Sequence, residues 1–166
     1  MPKTLRQLLE SVQNVEHLFK GRACGIIGAC RGENTPEQNK KNTEELHQTL
    51  LSRGHKVIPA FGGYVENKGT PQEKEVNEPS FIVAHKHQGN DNGTVLKSLV
   101  ELGKRYKQES ILHKPHNSEI ASLHGTTKSA EMNVGDKVDI GTAHWDKDAE
   151  DSPYYTKVNG RKFSFQ

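Results

Sequence analysis

No stretch of the chain approaches the ~20 consecutive apolar residues that a membrane-spanning helix requires. The first residues also lack the continuous apolar segment of a signal peptide. Both absences point to a cytoplasmic protein with no membrane partner. Cysteine is scarce: Cys24 and Cys30 are the two present, and they fit no common zinc or redox spacing. They read as reduced thiols. Aromatic residues make up 6% and hydrophobic residues 31% of the chain, and mean hydropathy is -0.84, so any core must be lean. A net charge of +2 is too weak to argue for nucleic acid from bulk electrostatics. Neither nucleotide fingerprint occurs, Gly-x-Gly-x-x-Gly or Gly-Lys-Ser/Thr. Also missing are a Gly-x-Ser-x-Gly elbow, a His-Glu-x-x-His motif and any internal repeat.

What remains is a chain of 166 residues, 27% charged. That is long enough for one domain with a real core and too ordinary in charge for disorder throughout. Residues 77–84 (Asn-Glu-Pro-Ser-Phe-Ile-Val-Ala) read as a central buried strand with a polar entrance at Glu78 and Ser80. Before it come an amphipathic helix over 4–20, a strand over 22–30, a helix from Pro36 to about 53, and a strand from 55–60 that continues past Gly62. Thr35 reads as the cap of the second helix, with Pro36 at its first position and Gln38 as the capping-box partner. After the central strand, Thr94 reads as the cap of a third helix, and residues 108–113 as a further strand. Residues 118–124 suit a short helix or a strand, and residues 136–151 read as an acidic loop. Asn159-Gly160 sets a type I′ turn in a hairpin over 153–166, with Thr156 opposite Phe163. Alternating helices and strands predict a single α/β layered domain, a mixed sheet flanked by helices, with a C-terminal β-hairpin. Its core spans about residues 22–113.

Four places could carry chemistry. The turn from Gly28 to Thr35 leads into a helix N-terminus, and with Arg31 it would favour an anion such as a phosphate or carboxylate. Asn39 and Asn42 lie on the inward stripe of that helix. They either tie down the neighbouring loop or line a polar pocket. His85 and His87 alternate on an extended segment, and His113, His116 and His124 follow, so these residues are the candidates for a metal site. Ser80, Ser110 and the two cysteines are candidate nucleophiles without a supporting motif. Glu78 and Gln108 precede strands that could be neighbours. Glu78 either accepts backbone N–H bonds that fix a loop or serves a ligand. The rule that ligands bind beyond the carboxyl ends of open α/β sheets favours the Gly28–Thr35 turn and the His85–His87 loop.

Asn34, Thr35 and Asn39, a helix ending in Leu50-x-x-x-Gly54, Pro59 before Gly62, then Glu78-Pro79-Ser80-Phe81 and Gly103-x-x-Tyr106-x-Gln108-x-Ser110 occur in that order. This set resembles a small family of bacterial and tailed-phage proteins known only as a domain of unknown function. The likeness runs over residues 26–112, leaving out the first helix and the C-terminal hairpin. It departs from the pattern in the long loop over 67–74 and in Asn77, where a larger aromatic is expected. The resemblance implies an accessory protein of the cytoplasm, or of the host cytoplasm or virion if phage-encoded. It transfers no catalytic role and no cofactor, but it groups Asn34, Asn39, Glu78, Ser80 and Gln108 as one polar cluster.

The expected function is binding of a polar or phosphorylated ligand, such as a nucleotide or a nucleic-acid end, by Arg31, Asn34, Asn39, Glu78, Ser80 and Gln108. Turnover is left open. The alternatives are a virion-associated or host-factor-binding protein partner without catalysis, and a metallohydrolase built on His85, His87 and His113.

Overall fold

The structure is a computed structural model that describes residues 15–16, 18–67, 69–149, 154–158 and 160–166. Among them are nine strands and two complete helices. In order these are β1 (Cys24–Gly28), α1 (Pro36–Ser52), β2 (Lys56–Glu66), β3 (Lys74–Ala84), α2 (Thr94–Arg105), β4 (Ser110–Lys114), β5 (Ala121–Gly125), β6 (Lys137–Gly141), β7 (Ala143–Trp145), β8 (Tyr154–Val158) and β9 (Arg161–Phe165). The helix expected over 4–20 lies mostly outside the described residues. At its end Val15, Leu18 and Phe19 are buried, as its apolar stripe requires.

The sheet is not mixed. Its order is β6-β5-β4-β1-β3-β2-β8-β9-β7, and every pairing is antiparallel. The expectation failed for a topological reason. The crossovers β1-α1-β2 and β3-α2-β4 each return a strand in the parallel sense, but one place away. Antiparallel β3 fills the gap in the first case and β1 in the second. The result is the βαββαβ arrangement of ferredoxin-like domains, order β4-β1-β3-β2, extended by hairpins on both sides.

Nor do helices flank the sheet. Both pack on one face, where Leu46 and Leu50 of α1 and Val95, Leu99 and Leu102 of α2 bury Ile27, Phe81, Val83 and Ile111. Alternate residues of the same strands, Ile26, Ile58, Ala60 and Ile82, point the other way and pack with Phe163, Phe165, Trp145 and Val158. That second face curls into a nearly closed barrel. The two edge strands, β6 and β7, are joined by Thr142 alone, so the sheet must bring its edges together. Thr142 and Gln166 exchange backbone hydrogen bonds at 2.9 Å in both directions, pinning this seam to the chain end.

Local signals explain the element ends. Thr35 Oγ1 accepts from the Gln38 N–H at 3.1 Å, with Pro36 opening α1 as expected. Thr94, in contrast, is the first residue of α2 rather than its cap. The Asp91 carboxylate caps that helix, accepting from the Gly93 and Val95 N–H groups at 3.0 and 2.8 Å. Residues 121–125 are strand, and the acidic stretch expected as loop contains β6 and β7. The C-terminal hairpin has the expected register, Thr156 opposite Phe163. It docks by pairing β8 with β2. Asn159 lies outside the described residues, while Gly160 holds the positive φ of 82° that such a turn demands.

Candidate functional site

Because β1 and β3 run antiparallel, the end of β1 meets the middle of β3, and Gly28 pairs with Ser80. Glu78 therefore lies beside the loop leaving β1 instead of at a remote edge. Gln108, which follows α2, approaches from the other side. Its Nε2 donates to the carbonyls of Cys30 and Tyr106, each at 3.2 Å. Glu78 lies on β3 and Gln108 just before β4, and β1 separates the two strands, so they are not the neighbours they could have been. The two side chains still line one cleft of about 420 Å³.

Four of the six expected ligand residues hold the loop itself. Asn39 Oδ1 accepts from the Arg31 N–H at 2.9 Å and from Asn34 Nδ2 at 3.1 Å, and its Nδ2 donates to the Arg31 carbonyl at 3.0 Å. This is how one side chain replaces missing backbone partners in an irregular segment. Of the two amides, Asn39 thus ties down the loop, and Asn42 accepts from Gln38 Nε2 at 2.7 Å. The Arg31 guanidinium pairs with Glu33, donating from Nε at 2.6 Å, and also donates to the Lys107 carbonyl. That hydrogen bond from Arg31 holds the Glu33 carboxyl below its usual range.

Glu78 and Ser80 differ from these four. Glu78 is half-buried. It lines this cleft and also a second one of about 470 Å³ on the far side of Cys30, beside Asn39, Thr43 and Pro79. No hydrogen bond or ion pair engages its carboxylate among the described residues, so it is not the loop-fixing acceptor that would have made it structural. Ser80 is 7% exposed, and its hydroxyl oxygen is buried without a partner among the described residues.

Tyr64, Lys107, Glu33 and Glu109 also line the cleft and were not singled out in the sequence. Tyr64 had a usable signal. It shares alternation with Ala60 and Gly62, so it continues the inner face of β2. The cleft carries three carboxylates (Glu33, Glu78 and Glu109) against two cations (Arg31 and Lys107). Arg31 and Glu33 offset each other, which leaves Glu78 and Glu109 against Lys107 and a cleft of net negative charge.

The other candidates lie elsewhere. His85 and His87 follow the opposite end of β3, their ring centroids 6.0 Å apart, while His113 faces His124 at 5.9 Å. Among the described residues no group of three or more His, Cys, Asp or Glu side chains is placed to hold a metal ion. Cys24 is buried on the sheet, and burial pushes its thiol up to about 12. Burial also raises the Cys30 thiol, which lies 3.6 Å from the Thr43 hydroxyl. Both are free thiols and stay protonated near neutral pH, unlike activated cysteines.

Residues 25–166 match the model of the S-adenosylmethionine lyase family, and the chain belongs to that family. The relationship replaces the expected domain of unknown function, and it takes in the C-terminal hairpin that the resemblance had left out. Among solved structures, a phage S-adenosylmethionine lyase in complex with S-methyl-5'-thioadenosine is similar at 18% identity and a TM-score of 0.32, over 73% of this chain and 90% of its own. No curated protein sequence matches the chain. No helix of the described residues is long and apolar enough to cross a membrane.

Proposed function

We propose that the protein cleaves S-adenosylmethionine at its sulfonium centre, in the cleft around Glu78. Family membership supports this substrate. The observation that carries the site is the Glu78 carboxylate, unpaired among the described residues, in a cleft with more acids than bases. S-adenosylmethionine carries two positive charges, the sulfonium and the α-ammonium. A carboxylate with no partner among the described residues suits one of them. The same excess of carboxylates weighs against a phosphorylated ligand.

A sulfonium is already an activated leaving group, so no metal or nucleophilic side chain is demanded. When the bond from sulfur to the amino-acid side chain breaks, sulfur keeps both electrons and departs as the neutral thioether S-methyl-5'-thioadenosine. The carbon left behind is satisfied within its own fragment: an oxygen of the fragment's own carboxylate forms a bond to it as the bond to sulfur breaks, closing a lactone. The protein's part is to bind the cation, orient the fragment and exclude water. Arg31, Asn34, Asn39 and Gln108 serve this by fixing the loop that walls the cleft.

The test is incubation of the purified protein with S-adenosylmethionine, with methylthioadenosine followed by chromatography and mass spectrometry. Glu78→Gln keeps the shape and removes the charge. It should lower kcat/KM by roughly a hundredfold, the order seen when one electrostatic group is removed from an active site. Product formation unchanged in Glu78→Gln would take Glu78 out of the site, and absence of product with the native chain would remove the reaction.

A further inference from the structure

The Arg31–Glu33 pair on the wall of the cleft is held unevenly. Arg31 is fixed at both ends. Its backbone N–H donates to Asn39 Oδ1 at 2.9 Å, its carbonyl accepts from Asn39 Nδ2 at 3.0 Å, and its Nη1 donates to the Lys107 carbonyl. The remaining edge of the guanidinium closes on a single oxygen of Glu33. Nε and Nη2 both donate to Oε1, Nε at 2.6 Å. Glu33 is held more loosely. Beyond Arg31, its carboxylate accepts from its own backbone N–H, and its side chain is 63% exposed against 28% for Arg31. Both residues line the cleft with Glu78. Between them, a Cβ built on Gly32 would meet nothing within 4 Å, so the space beside the pair is open.

We propose that this pair is the receptor for the α-amino-acid group of the substrate: the substrate carboxylate replaces Glu33 on the guanidinium, and Glu33 turns to the α-ammonium. The inference rests on the S-adenosylmethionine reading and extends it from the sulfonium to the amino-acid end. Glu33 shows what the free edge of Arg31 takes, a carboxylate gripped by one oxygen. Held in the same way, the substrate carboxylate keeps its second oxygen free, as ring closure onto the carbon beside sulfur requires. The exchange leaves no charge unpaired. Carboxylate and ammonium sit on one carbon of the substrate, and Arg31 and Glu33 are already in contact. It also costs little, because an exposed ion pair contributes little to stability. Lys107 is the other cation of the cleft. A lysine is a flexible point charge, whereas a guanidinium fork anchored at its far edge is already oriented for a carboxylate.

Calorimetric titration of the whole chain tests the site with thioether ligands, whose uncharged sulfur is not a leaving group. S-adenosylhomocysteine keeps the whole amino-acid end, 5'-S-(3-carboxypropyl)-5'-thioadenosine lacks the ammonium, and methylthioadenosine lacks both charges. Arg31→Met should weaken S-adenosylhomocysteine by about tenfold or more, as expected for lost hydrogen bonds to a charged group, and methylthioadenosine by less than about twofold. Equal losses for the two ligands, or no loss for either, would overturn the proposal. Arg31→Lys keeps the charge but not the fork, and it serves in the same way if Arg31→Met does not fold. Glu33→Ala frees the guanidinium, so it should tighten the ligand without the ammonium by roughly threefold. Unchanged or weaker binding there is what a pair that only braces the loop would give, and it would overturn the exchange. Lys107→Met should leave S-adenosylhomocysteine binding unchanged, and a loss there in place of the loss in Arg31→Met would move the carboxylate to Lys107. The reaction fails separately. If S-adenosylhomocysteine binding depends on Arg31 but S-adenosylmethionine is not cleaved, the lyase reading falls and this site stands.

Discussion

Ser80 and Asn39 look alike in the sequence, each a polar residue at an inward position, and the structure gives them opposite energetics. Asn39 satisfies all of its inward-facing groups through three hydrogen bonds to the loop. Ser80 buries a hydroxyl oxygen that has no partner. It sits across from Gly28 on one side and Ala60 on the other, and a Cβ built on Gly62 would come only to 3.8 Å from its Oγ, so none of these three neighbours offers a polar side chain. A buried polar atom left unpaired costs about 1–3 kcal/mol. Ser80→Ala should therefore leave stability unchanged or raise it by up to about 1 kcal/mol in urea denaturation. A clear loss would mean that the hydroxyl has a structural partner. The inward position of each residue could be read from spacing. Whether a partner waits there could not, because Arg31 and Asn34 reach Asn39 only through the path of a loop, whereas the neighbours of Ser80 come from β1 and β2.

Elements were legible wherever one segment carries its own signal. The start of α1 announces itself with Thr35, Pro36 and Gln38, and the C-terminal hairpin with Asn159-Gly160 between alternating residues. β6 and β7 were not legible. They are five and three residues long, and their stability comes from pairing with β5 and β9, so no local periodicity marks them. The start of α2 failed differently. Thr94 is a good cap by type, but Asp91, three residues earlier, turns its carboxylate onto the Gly93 and Val95 N–H groups while Thr94 donates its hydroxyl to the Asp91 carbonyl. Asp91→Ala should cost about 0.5–2 kcal/mol, the range for loss of a helix cap. Thr94→Ala should cost less, since it leaves both carboxylate bonds in place. Equal losses in the two variants would return the capping role to Thr94.

The barrel is a property of the whole chain, and nothing in any single strand predicts it. An antiparallel order arises because each crossover skips one place, and closure arises because the edge strands are consecutive in the chain. The same long-range packing buries His113, which the sequence offers as a candidate metal ligand. His113 is 8% exposed, with its Nε2 unpartnered. Burial, aided by the neighbouring His124, pushes its pKa down to about 4 from an ordinary 6.5. Asp91 acts in the opposite sense, while Lys114 and Lys137 add to the lowering. Burial also lowers His124 and His55. Lowered folded-state values mean that the unfolded chain takes up protons first as the pH falls. Stability is then full above pH 6.5 and declines as the pH drops toward about 4, through His113 above all. A tenfold preference of the unfolded chain for the proton is worth about 1.4 kcal/mol before solvent screening, so His113 should account for a loss on the order of 2–3 kcal/mol. Carboxylates held low, such as Glu75 at about 2 beneath Lys157 and Tyr155, titrate in a lower window and leave the range from 6.5 to 5 to the histidines. Urea midpoints measured across that range should fall steadily in the native chain and far less in His113→Leu. A flat profile in the native chain, or an equal slope in the variant, would show that His113 is not held neutral by its burial.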